Sequence, residues 1–81
     1  MRQFPTLRDL RLAQVPRLSQ YDVAQRLYVT QPTVNRWENG LAEPQESNKR
    51  ALMDLYHVTI DEIEAAIQAT MQARASARKD E

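Results

Sequence analysis

The sequence predicts an all-α fold, a compact arrangement of five helices with the last one extended. Three observations carry that prediction. Hydroxyl residues stand three positions ahead of carboxylates at Thr6–Asp9, Ser19–Asp22 and Thr59–Glu62, the pairing that caps helix starts reciprocally. Apolar residues recur three and four apart after those starts. Proline or glycine separates the periodic stretches, at Pro16, Gly40 and Pro44. A chain of 81 residues holds one small core. Without cysteine it has neither a disulfide nor a thiolate metal site, so helix packing or dimerisation must supply its stability.

Met1 to Pro5 reads as a short arm. Thr6 caps a first helix over about 7–14, with Leu7, Leu10 and Leu12 or Ala13 inward, and Val15-Pro16-Arg17 ends it. The second helix, capped by Ser19, turns Val23, Ala24 and Leu27 inward. The third follows Thr30 and tolerates Pro32, because a first helical turn needs no intrahelical N–H. It buries Val34 and Trp37, and Gly40 sits where helices stop in the left-handed conformation. A fourth helix spans about 46–56, with Ala51, Leu52, Leu55 and Tyr56 inward. The fifth opens at Thr59 and carries Ile60, Ile63, Ile67 and Met71 on one stripe. Alanine-rich sequence then sustains helix to about Ala77. The first half of the stripe closes the core; the second half packs on a second copy of the chain or on the first helix. The chain thus divides into the arm 1–5, a domain 6–72 and a fraying charged tail 73–81.

Residues 18–40, LSQYDVAQRLYVTQPTVNRWENG, join two short helices by a tight turn. Val23, Leu27, Val29, Val34 and Trp37 make their buried side, with small Ala24 where the backbones cross. Gln31, Pro32, Thr33, Asn35 and Arg36 make the outer side of the second helix, without one carboxylate. This stretch resembles the helix-turn-helix of the Cro/lambda-repressor group of DNA-binding domains, the XRE family. LRDLRLAQ resembles that family's first helix, and AEPQESNKRALMDLYHVTIDEI its fourth and fifth. The likeness covers roughly residues 6–64 and implies a lambda-repressor-like DNA-binding domain with its motif at 20–39. The loop around Pro16 is about two residues longer than is common there.

Such domains set the N-terminal end of the recognition helix, here 31–39, into the major groove. Gln31 is then a base reader, since a carboxamide pairs bidentately with adenine, and Arg36 suits guanine or a phosphate. Pro32, Thr33 and Asn35 are further base contacts. Gln20 resembles the family glutamine that bonds a phosphate beside helix amides, and Arg17, Thr30 and Asn39 join it as phosphate contacts. Trp37 could stack on a base, but its inward position assigns it to the core. Arg11 and Glu38 resemble a family ion pair linking the first and third helices, worth ~0–1 kcal/mol if exposed. His57, the single histidine, stands where the family commonly holds glycine, so it reads as a cap with unusual backbone angles; a metal would need ligands that are absent. No cofactor is implied. Tyr28 also replaces a frequent glycine, in the turn between the motif helices. A bulky residue at positive φ is strained, so the turn is either strained or rearranged with a tilted recognition helix.

Eleven basic and eleven acidic residues cancel, whereas isolated nucleic-acid binders are usually basic. Distribution matters more. Residues 1–36 carry six arginines against two aspartates, while 37–70 carry two cations against seven carboxylates. The reading that unites these features is a sequence-specific regulator of transcription, a repressor homodimeric on an inverted repeat, resembling the compact regulators of mobile genetic elements. A DNA-binding antitoxin of a toxin–antitoxin pair, its acidic 43–64 segment holding a basic protein partner, is one alternative. A protein-interaction module that has lost DNA binding is another. One histidine, no cysteine and no glycine-rich phosphate loop argue against an enzyme. No apolar run suits a membrane span and no signal-peptide core follows Met1, so the cytoplasm is the expected compartment.

Overall fold

The computed structural model describes residues 4–79. Those residues form α1 (Leu7–Leu12), α2 (Gln20–Leu27), α3 (Gln31–Glu38), α4 (Glu46–Tyr56) and α5 (Ile60–Lys79). Met1–Gln3 of the expected arm and Asp80 and Glu81 of the expected tail lie outside the described residues.

The helices start where their caps are. Thr6, Ser19 and Thr59 each accept the backbone N–H of the acid three residues on, and that acid's carboxylate accepts the N–H of the cap. The bond from the Ser19 backbone, with its hydroxyl, holds the Asp22 carboxyl below the usual aspartate range. Thr30 caps α3 by accepting from the Thr33 N–H, with Pro32 inside the first turn.

The ends hold the surprises. α1 stops at Leu12, two residues before the expected Gln14, because the Gln14 side chain competes with its own backbone. Its Nε2 donates to the Leu10 carbonyl at 2.9 Å, the acceptor a further helical turn would have used. α2 and α4 end on left-handed residues that are not glycine, Tyr28 (φ 58°, ψ 40°) and His57 (φ 58°, ψ 48°). The motif turn therefore keeps the backbone form that glycine would favour, with a tyrosine in it.

Every helix feeds one core: Leu7 from α1, Val23 and Leu27 from α2, Val34 and Trp37 from α3, Leu52 and Tyr56 from α4, Ile63 and Ile67 from α5. Two expected inward positions shift. On α1, Ala13 is exposed and Leu12 half-buried, and Arg11 is buried in their place. On α5, Ile60 is 45% exposed, because the packed stripe begins a turn later and runs Ile63, Ala66, Ile67, Thr70. The second half of α5 docks on the first helix. The buried Thr70 hydroxyl accepts the Leu7 N–H at 3.0 Å and donates to the Ala66 carbonyl at 2.8 Å, satisfying an orphan donor of the first turn of α1. α5 then runs without a break to Lys79, through the stretch to about Ala77 where helix is expected.

Arg11 and Glu38 tie α1 to α3 through a two-pronged pair, Nε to Oε2 at 2.7 Å and Nη2 to Oε1 at 3.0 Å. The third guanidinium nitrogen, Nη1, donates to the Leu18 carbonyl at 3.0 Å and so fixes the loop ahead of α2. The two side chains are only 10% and 4% exposed, which removes the pair from the weak surface class. The bonds from Arg11 to Glu38 hold the guanidinium still more firmly protonated. Burial, then the Glu38 charge, pushes the Tyr56 phenol up.

Two stability predictions follow from these contacts. Tyr28 is 96% exposed, so Tyr28→Gly removes no packing and relieves a left-handed residue; thermal melting should show it stabilised by ~1 kcal/mol. Arg11→Met alone leaves Glu38 buried without its cation and should cost ~3–5 kcal/mol in denaturant unfolding. Pairing it with Glu38→Leu should recover a large part of that loss, and a double variant as unstable as the single one would refute this account of the pair.

Candidate nucleic-acid interface

α3 has two unlike sides. Val34 and Trp37 are 1% and 4% exposed, whereas Gln31, Pro32, Asn35 and Arg36 face solvent and Thr33 is half-buried. Spacing of four residues aligns Gln31 with Asn35 and Pro32 with Arg36 in two rows along the outer surface. The surface lacks negative charge because Glu38, the one carboxylate of α3, is turned inward onto Arg11.

The buried pair reaches this surface through a chain of amides. Glu38 Oε1 also accepts from Gln20 Nε2 at 3.0 Å. Gln20 Oε1 accepts from Asn35 Nδ2 at 3.4 Å, and Asn35 Oδ1 accepts from Asn39 Nδ2 at 2.9 Å. The path runs from the buried ion pair, over the start of α2, along α3 to its C-cap. Each amide nitrogen carries two hydrogens, so each of these three side chains keeps one N–H to offer outward. At the other end of α3, the Thr30 and Thr33 hydroxyls lie 2.8 Å apart beside Gln31 and Pro32. Arg17 is exposed in the loop before α2 and, among the described residues, makes no ion pair.

The structure thus places all nine expected DNA contacts on or beside α3 and the start of α2. It links Gln20, Asn35 and Asn39 directly and leaves the side chains of Gln31, Pro32 and Arg36 without a partner among the described residues. Sequence reading missed the linkage of Gln20 to Asn35. Half of the chain was legible, since Asn35 and Asn39 are one helical turn apart; the half across α2 and α3 depends on how those helices cross. It also missed how closely α5 passes the end of α3. Gly40 has φ +72°, and a Cβ there would meet the Thr70 carbonyl at 3.1 Å and Arg74 Cβ at 3.2 Å. Glycine is needed twice at that point, for the backbone angle and for the approach.

In chemical terms this surface combines a carboxamide and a guanidinium with oriented amide donors and the exposed start of α3. Those groups match base edges and phosphate oxygens. Among the described residues no helix is long and apolar enough to cross a membrane. No curated protein and no solved structure matches the chain. A family model described as a helix-turn-helix domain matches residues 6–66, nearly the span over which the Cro/lambda-repressor resemblance runs. With the motif geometry in place at α2 and α3 and that match over most of its length, the chain belongs to the helix-turn-helix domain family, an all-α DNA-binding fold.

Proposed function

We propose that this protein is a sequence-specific regulator of transcription that binds double-stranded DNA as a homodimer and represses by occupying an inverted repeat. One observation carries the reading: α3 buries Val34 and Trp37 and thereby presents Gln31 and Arg36 together on a surface free of carboxylates. Gln31, at the start of α3, donates to N7 and accepts from N6 of an adenine. Arg36 takes O6 and N7 of a guanine, and the Pro32 ring and Thr33 methyl suit a thymine methyl. Gln20, Asn39, Arg17 and Thr30 hold phosphates and set the register of the helix in the groove.

Asn35 has a mixed role. Its carboxamide is bonded at both ends, to Gln20 and to Asn39, so it reads a base only through its remaining N–H and otherwise keeps its neighbours oriented. Two copies would present two such helices about 34 Å apart, one turn of duplex, which is why the target should be an inverted repeat. The compact regulators of mobile elements are the nearest functional likeness, on size alone.

Selection of bound duplexes from a random pool tests binding, sequence preference and two-fold symmetry together. An enriched inverted repeat supports the whole reading, and recovery of unselected sequence refutes it. On the selected duplex, Arg36→Ala should cost ~1–3 kcal/mol and relax preference at one base pair per half-site. Equal weakening on every sequence would reduce Arg36 to backbone attraction.

A further inference from the structure

Arg74 lies on α5, beyond residue 66 where the family match ends. Its side chain does not extend away from the fold. Arg74 Cβ and Cδ stand 3.2 and 3.4 Å from the point where a Gly40 Cβ would be, so its stem crosses the end of α3 in the space that glycine leaves open. Asn39, the residue before Gly40, is exposed, and its amide is oriented through Asn35. The remainder of Arg74 is exposed, and among the described residues it makes no ion pair.

The segment leaving α3 provides no cation of its own. Residues 41–46 carry Glu43 and Glu46 and no basic side chain. The next cation along the chain, Lys49, is held by Glu46 and Glu64, each at 3.3 Å. A phosphate approaching Asn39 would therefore meet carboxylates from the connecting loop, Arg36 one turn back on α3, and a second guanidinium, Arg74, brought from a distant part of the chain. Packing the stem on Gly40 also immobilises part of a long side chain before any ligand arrives, which lowers the entropy lost on binding.

We propose that Arg74 is a phosphate-binding residue of the DNA interface, delivered by α5 to the C-terminal end of α3 beside Asn39. The proposal rests on the DNA-binding reading and extends the interface past the family-matched region. A cation at a helix C-terminus also steadies that helix's dipole, and the test must separate that role from contact with DNA.

The test uses the full chain, with the best duplex from the selection and one random-sequence duplex, titrated across a salt series. Arg74→Ala should weaken binding equally on both duplexes and make the slope of log K against log salt shallower by about 0.9, one phosphate's worth. Arg74→Lys should restore the slope, and the loss of slope in Arg74→Ala should persist when binding is measured well below the melting temperature of each variant. A wild-type slope in Arg74→Ala overturns the proposal, and a lowered melting temperature alongside it would identify a purely structural helix-end cation. Wild-type protein that binds neither duplex overturns the DNA reading and this proposal together, whereas wild-type binding with no slope change overturns Arg74 alone.

Discussion

The structure depends on one buried ion pair. Arg11 and Glu38 sit where α1, α3 and the loop before α2 converge, and their atoms bond to all three. An apolar pair could fill the same volume at similar or better stability. It could not fix direction. Two parallel bonds from a planar guanidinium set the rotation of α3 about its axis, and a third bond sets where α2 begins. Rotation is what separates the buried Val34 and Trp37 from the exposed Gln31 and Arg36. The pair thus acts on function through geometry, at a desolvation cost that the surrounding bonds offset.

The same pair reaches the surface without losing control of direction. Gln20 spends one amide hydrogen on Glu38 and uses its oxygen to hold Asn35, which in turn holds Asn39. Side chains on a solvated helix face usually sample several rotamers, and ordering them on binding costs free energy. Here three of them are ordered beforehand by a buried charge. The cost has been met in folding, where the core supplies it. The Asn35 to Gln20 bond, at 3.4 Å, is the weakest step.

What the sequence showed and what it hid divide along the distance over which each feature is encoded. Helix starts were legible because a cap is a matter of three or four adjacent residues, as at Ser19 and Asp22. The buried side of the motif was legible because its period is local too. At Tyr28 the usual place of glycine left a strained turn and a rearranged one open, and at His57 it suggested a cap with unusual backbone angles; the structure has the left-handed form at both. The end of α1 was missed because a side chain, Gln14, took a bond that propensity assigns to the backbone. The second half of α5 was left between a second copy and the first helix because its deciding contact, Leu7 with Thr70, joins residues 63 apart in sequence. No periodicity could distinguish Ile60, which faces water, from Ile63, which does not.

A neutral chain suits a phosphate partner when its charges are sorted by place. At physiological salt the screening length is about 8 Å, while the molecule measures 35 × 26 × 24 Å. Carboxylates on the far side of such a body barely alter the potential felt at α3, so the zero total says little about the interface. What counts is which cations near that surface are already engaged. Lys49, on α4, is paired with Glu46 and Glu64, and Arg11 with Glu38. Arg17 and Arg36, at the motif, make no ion pair among the described residues. The acidic residues that cancel the total are partly those that hold the structural cations, and the inward turn of Glu38 removes the one negative charge α3 would otherwise present. Sorting of this kind keeps the net charge low while leaving Arg17 and Arg36 uncommitted beside the carboxylate-free outer side of α3.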